Sequence, residues 1–228
     1  MEGPLLSALA ATGILAGLHR SIPASKQKWV AIHCLVNAAL TGLTVKDAWA
    51  HLVEPLTPHG TTGVFPLLLM FLLHVYHALF YPCGPLDYTH HLVMCSLLTV
   101  PIYTAQPEFI AYTNYVTFFI CGLPGGIDYA LMYLVYTDRL SPVTEKRINS
   151  WLNMYLRAPG ILSAAFLAWI RWTAGDLSTA YALPTVLILG WNAQYFSRAV
   201  CISYGRHFDR QNGQTGQTRE VHRPPIDV

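Results

Sequence analysis

Five residues with usable chemistry crowd one stretch of an apolar chain: His74, His77, Asp87, His90 and His91 lie within eighteen positions. They fall in "LLLMFLLHVYHALFYPC" (67–83) and in "GPLDYTHHLVMC" (84–95), which follows directly. On a helix His74 and His77 stand three apart and share a face. Asp87 precedes His90 by three and His91 by four. At that spacing a carboxylate reaches an imidazole, orients it and raises its basicity, the arrangement of a general base. The plainer roles of the same residues are those of helix ends: histidines that snorkel or cap, and Asp87 as a helix N-cap.

The elements that must position these groups are apolar runs near the length of a bilayer-spanning helix, about 20 residues. Seven such runs occur, at 4–18, 29–48, 64–82, 88–106, 109–135, 150–172 and 178–204. The fifth contains "GLPGGIDY" and is expected to bend or break there. The predicted fold class is all-α, a polytopic transmembrane bundle of about seven spans. Lys and Arg set its orientation. Arg20, Lys26, Lys28, Arg139, Lys146, Arg147, Arg206, Arg210, Arg219 and Arg223 fall on one side, and only Lys46 and Arg171 on the other. The N-terminus then faces out and the C-terminus in. The first run is read as a membrane helix rather than a signal peptide, because Glu2 precedes it and the basic residues follow. Trp29, Trp49, Trp151 and Trp172, near span ends, are expected as interfacial anchors.

In this topology the intramembrane polar residues share one depth. His33, His74, His77, Asp128, Asn153 and Arg157 all fall in the inner part of their spans, as do Asp87, His90 and His91. Ionisable groups in a bilayer are costly and face a cavity or a partner, so one inward-opening chamber is expected to collect them.

Composition agrees with a lipid solvent. Charged residues are 11% of the chain and hydrophobic ones 53%, against about 25% charged in soluble domains. No basic stripe accompanies the net charge of +2, so nucleic acid is not an expected partner. The cysteines, Cys34, Cys83, Cys95, Cys121 and Cys201, are odd in number and form no CxxC pair; they read as free thiols packed among helices. A metal-dependent lipid oxidase or hydroxylase would draw on His74, His77, His90 and His91, supported by Asp87 or Asp128. One HxxH and one HH fall short of the histidine boxes of desaturase-like di-iron enzymes, so no metal is assigned.

Residues 25–204 resemble the TLC-domain family, the group that includes the ceramide synthases. The resemblance rests on "KQKWVAIHCLVNAALTG", on "LLLMFLLHVYHALFYP", on "LDYTHHLVM" as the family's Asp-x-x-His-His stretch, and on the arginine of "NSWLNMYLRAPG". It implies a multi-pass bundle around a lipid-sized cavity with the histidine pair at its polar end. It further implies transfer of an acyl group from acyl-coenzyme A to a lipid amine. His90 and His91 would then be catalytic, with Asp87 beside them, and an imidazole can act as base or take an acyl group from a thioester. No tightly bound cofactor is expected, acyl-coenzyme A being the candidate co-substrate, and the endoplasmic reticulum is the implied location. The synthases' paired aspartate and further histidines are missing after His91.

The chain divides into a first helix with its basic loop (1–24), a TLC-like bundle (25–204) and a polar tail (205–228) with Pro224 and Pro225 side by side. Such a tail is expected to be disordered unless a partner holds it. The alternative function is therefore a non-catalytic lipid-binding subunit of a larger membrane complex, for example a bioenergetic one in the mitochondrial inner membrane. Its partners would be membrane lipids and other membrane-protein subunits.

Overall fold

The computed structural model describes residues 3–215, apart from 24, 26, 58, 62 and 105, and all of its regular secondary structure is helical. Seven continuous helices follow one another: α1 (Pro4–Ser21), α2 (Lys28–Val53), α3 (Phe65–Phe80), α4 (Pro85–Thr104), α5 (Pro107–Tyr136), α6 (142–173) and α7 (Thr179–Thr215). Proline opens most of them. Pro4, Pro66, Pro107 and Pro142 sit in the first turn, where a missing N–H costs nothing. The stops are equally local. Tyr81, which precedes Pro82, is extended (φ −132°, ψ 148°) and ends α3, as the residue before a proline is pushed out of the helical region. Gly175 ends α6 at φ +87°, with its N–H donating to Trp172 and that of Asp176 to Arg171, a Schellman pair.

The seven helices occupy the seven apolar runs. By length and composition, however, only α2 and α5 among the described residues are able to cross a membrane, and α3 is apolar but shorter. Polar runs dilute other segments: "DYTHH" early in α4, "VTEKR" early in α6 and "RHFDRQNGQT" at the end of α7. The tail boundary at 204 moves as well. α7 runs on through Thr215, so 205–215 belong to the last helix, and 216–228 lie outside the described residues. Nor is the first segment separate from the bundle: Ala11 and Leu15 of α1 lie in the common core, and α1 packs on α3.

α2 is the axis of the fold, touching α1, α3 and both halves of α5. Its buried side mixes apolar residues (Val30, Ile32, Val36, Leu40) with polar ones, and its outer side is largely apolar. His33, Asn37, Thr44, Asp47 and His51 are buried, whereas Leu35, Leu43, Val45 and Trp49 are exposed. The approach of α5 is close because Gly125 and Gly126 face α2; a Cβ on Gly125 would lie 2.8 Å from Asn37 Nδ2.

The expected bend in α5 takes the form of a π-helical turn, Phe118–Gly122, two residues ahead of Pro124. α6 repeats the device: a π turn at Asn153–Arg157 precedes Pro159 by the same distance. A wider turn accommodates the proline ring and the carbonyl it leaves without a partner, and such turns re-aim the side chains around them. The two turns pack together. The ring of Phe119 occupies the space beside Gly160, where a Cβ would come within 2.1 Å of Cδ1.

Candidate functional site

Histidines from α2, α3 and α4 form a contiguous series. Ring centroids are 4.8 Å apart from His33 to His77, 4.8 Å from His77 to His91, 5.2 Å from His91 to His74, and 5.6 Å from His74 to His90. His33 comes from the second turn of α2, His74 and His77 from one side of the α3 C-terminal half, and His90 and His91 from the start of α4. The i,i+3 relation within α3 is what lets both of its histidines meet the α4 pair.

These five rings line a cavity of about 400 Å³. Its far wall comes from α5 and α6. Cys121, Asp128 and Tyr129 reach it from α5, and Arg157 from the π turn of α6. Arg157 Nη2 stands 3.5 Å from Asp128 Oδ2, and its Nη1 donates to Asn153 Oδ1 at 3.1 Å. Asn149 Nδ2 donates to Asp128 Oδ1 at 2.7 Å, and Asn153 Nδ2 to Asn149 Oδ1 at 2.6 Å. Arg157 is thus held from two helices with its charge compensated. Asn153, an expected lining residue, instead supports Arg157 and is not part of the lining.

Asp87 departs further from expectation. Its carboxylate accepts from Gly84 N at 2.9 Å, and Gly84 is the residue that caps α4. A third-position carboxylate returning to the cap N–H is half of a capping box. The atom that fixes His91 is instead the Asp87 backbone carbonyl, which accepts from Nδ1 at 3.2 Å. Asp87 lines the cavity, but the structure gives it the capping role rather than that of a carboxylate partner to the pair.

Backbone carbonyls fix most of the tautomers. A carbonyl oxygen only accepts, so Nδ1 carries the proton in His33 (to Trp29 O, 2.8 Å), His74 (to Met70 O, 2.8 Å) and His91. A neutral His33 then presents its Nε2 lone pair, and His77 Nδ1, 3.3 Å away, donates to it. Nε2 of His77 is in turn left with its lone pair. Four imidazoles are in this way set as Lewis bases.

Three polar atoms of lining residues are buried without a hydrogen-bond partner among the described residues: His91 Nε2, Asn37 Oδ1 and Arg157 Nε. Two are acceptors and one is a donor. Each unpaired buried group costs about 1–3 kcal/mol.

Several residues here were not singled out by their pattern. Trp29, expected as an interfacial anchor, lies on the cavity wall with its ring 5.2 Å from that of His77. Asn37 follows His33 by one helical turn, and that spacing was available as a signal. Asn192, an amide in the run 178–204, carried the same signal as Asn153, whereas Tyr129 and Phe196 carried none, because nothing in an apolar run marks which side turns inward. Cys83, in the α3–α4 connection, brings its thiol to His77 and His91, the three ligand atoms lying within 4.8 Å of one another. Burial, with the Asp87 carboxylate, pushes that thiol's pKa above its ordinary value.

Comparison with protein families, with curated proteins and with solved structures returns no match.

Proposed function

We propose that the chain is a multi-pass membrane protein whose cavity receives the polar group of a lipid and, in its catalytic form, transfers an acyl group from acyl-coenzyme A to a lipid amine. The observation that carries the reading is the cavity itself: five histidines, Asp128 and Arg157 line one space in an apolar chain, and the lining residues His91, Asn37 and Arg157 each also hold a buried polar atom without a partner among the described residues. Two acceptors call for a ligand with donors, and the guanidinium N–H calls for an oxygen. A headgroup bearing an amine or hydroxyl beside an oxygen matches the donors and acceptors that these lining residues carry.

The apolar outer side of α2 and the polar residues it buries support the membrane part. Exposing Leu35, Leu43, Val45 and Trp49 while burying His33, Asn37 and Asp47 is unfavourable in water and natural in lipid. Seven helices, with the basic residues gathered on the side of the α1–α2 and α5–α6 connections, fit an outside N-terminus and an inside C-terminus. The cavity then lies toward the inner face, and the endoplasmic reticulum is the location that the family resemblance favours.

For transfer, an imidazole of the His90–His91 pair takes the amine proton as the amine nitrogen attacks the thioester carbonyl. The C–N bond forms, the C–S bond breaks, and the coenzyme A thiolate leaves and takes the proton. Arg157, held at the cavity wall beside Asp128, is the lining group whose N–H donors suit the carbonyl oxygen while it is anionic.

The test supplies purified protein in bilayers with acyl-coenzyme A and a panel of long-chain amines, and repeats it with His90→Ala and His91→Ala. Catalysis predicts amide product, reduced about 10²–10⁴-fold in one variant or the other. Headgroup binding alone predicts no product and an affinity lowered by about 1–3 kcal/mol in His91→Ala. No product and no lipid retained by folded wild-type protein would refute the proposal.

A further inference from the structure

The imidazoles nearest the α3–α4 connection do not stand alone. His77, in the last turn of α3, Cys83, in the connection, and His91, in the second turn of α4, bring one nitrogen or sulfur atom each to within 4.8 Å of the others. In a tetrahedral centre with bonds of about 2.0–2.3 Å, donor atoms lie about 3.3–3.6 Å apart. The observed set therefore closes on an ion with movements of about 1 Å or less, within reach of small side-chain rotations.

The surrounding hydrogen bonds are those of a metal site. A ligating histidine characteristically donates its other ring N–H to a fixed acceptor, which sets the tautomer and the ring plane. His91 donates Nδ1–H to the Asp87 carbonyl at 3.2 Å, and His77 donates Nδ1–H to His33 Nε2 at 3.3 Å. His33 is itself anchored to the Trp29 carbonyl at 2.8 Å. Both rings are left with an Nε2 lone pair, and that of His91 is buried with no partner among the described residues. His91 is only 9% exposed, so bulk water does not serve it. Rings that each present a base are mutually unsatisfying; a cation satisfies them together.

We infer that His77, Cys83 and His91 form a three-ligand site for a borderline-soft divalent transition metal, zinc being the best match. Two imidazoles and a thiolate select zinc or copper over magnesium or calcium, which take oxygen. Three protein donors also leave a coordination position open, as in catalytic rather than structural zinc sites. His77 and His91 line the cavity, so that position is available to whatever the cavity holds. The site shares the cavity with the proposed lipid reaction but does not depend on it. If His91 holds the metal, the base of the pair is His90.

The test uses purified full-length protein in detergent, stripped with a chelator and titrated with Co²⁺ alone and then with Zn²⁺. The expected result is one Co²⁺ per chain, with tetrahedral d–d absorption and a thiolate-to-cobalt charge-transfer band, both abolished by Zn²⁺. Cys83→Ser removes the charge-transfer band. His77→Ala and His91→Ala each weaken Co²⁺ binding roughly 100-fold or more, while Cys201→Ser, a thiol in α7, changes neither quantity. If a histidine variant does not fold, Cys83→Ser decides. No stoichiometric Co²⁺ in folded wild-type protein overturns the inference, as does a thiolate band that survives Cys83→Ser. Because no lipid is present, the two proposals fail separately: lipid binding without Co²⁺ binding removes this one, and Co²⁺ binding without lipid or product removes the other.

Discussion

Replacing Arg157 by Met removes a guanidinium from the wall of the cavity and keeps most of its volume. The two partners are 15% and 18% exposed at the side chain, and their closest N–O distance is 3.5 Å. At that distance and an effective dielectric of about 20, the attraction is about 5 kcal/mol. Breaking a buried pair on one side costs about 3–5 kcal/mol, because the remaining charge is left uncompensated. The lower end applies, since the pair is long and Asn149 stays on Asp128 Oδ1 at 2.7 Å. Arg157→Met should therefore lose about 3 kcal/mol. Asp128→Asn combined with Arg157→Met removes both charges; exchange of a buried pair for neutral groups of similar volume is near neutral, so the double variant should lose only about 1 kcal/mol. The assay is reversible denaturant unfolding in detergent micelles followed by helical circular dichroism. The diagnostic is the sign of the second step: adding Asp128→Asn to Arg157→Met should restore stability. A single variant within about 0.5 kcal/mol of wild type, the scatter of ordinary surface substitutions, would refute the pairing. So would a double variant less stable than the single one.

Gly160→Ala places a methyl 2.1 Å from Phe119 Cδ1; overpacking of about 1–3 kcal/mol should outweigh the helix-propensity gain of about 1 kcal/mol, and Phe119→Leu in the same chain should recover part of the loss in the same unfolding assay. Ser141 Oγ accepts from Thr144 N at 3.1 Å and starts α6, so Ser141→Ala should cost about 1 kcal/mol, and an unchanged unfolding midpoint would show that the cap contributes nothing. Single cysteines placed in the 54–57 and 138–140 connections of a chain otherwise free of cysteine should be labelled from opposite sides of sealed vesicles; labelling of both from one side would contradict the proposed topology.

Much of the site was legible in the sequence because cost marks it. In an apolar chain each of His33, His74, His77, His90, His91, Asp128 and Arg157 is expensive, and one chamber at a common depth was the economical way to place them. The cavity is lined by all seven. The helices were legible for a local reason as well. Pro66, Pro82, Pro107 and Pro142 punctuate the apolar runs, and each acts within one turn of its own position. The bend at "GLPGGIDY" was legible as a site of strain, but its form as a π turn was not.

What the sequence determined by itself, then, is which residues are costly to surround with apolar groups and where the helices start and stop, since both follow from side-chain solvation and local backbone sterics. Only the tertiary structure decided which atom each of these residues uses. Asp87 lies at the spacing for an imidazole, yet Gly84 N is nearer in the helix start and takes the carboxylate, leaving a backbone carbonyl to hold His91. Cys83 lies in a connection where spacing says nothing, and the packing of α3 on α4 brings it to two histidines. Depth puts Asn153 and Arg157 in the chamber alike, and the π turn of α6 brings only Arg157 to its wall. Depth and type are properties of one residue, whereas hydrogen-bond direction and ligand geometry belong to pairs that the fold alone brings together.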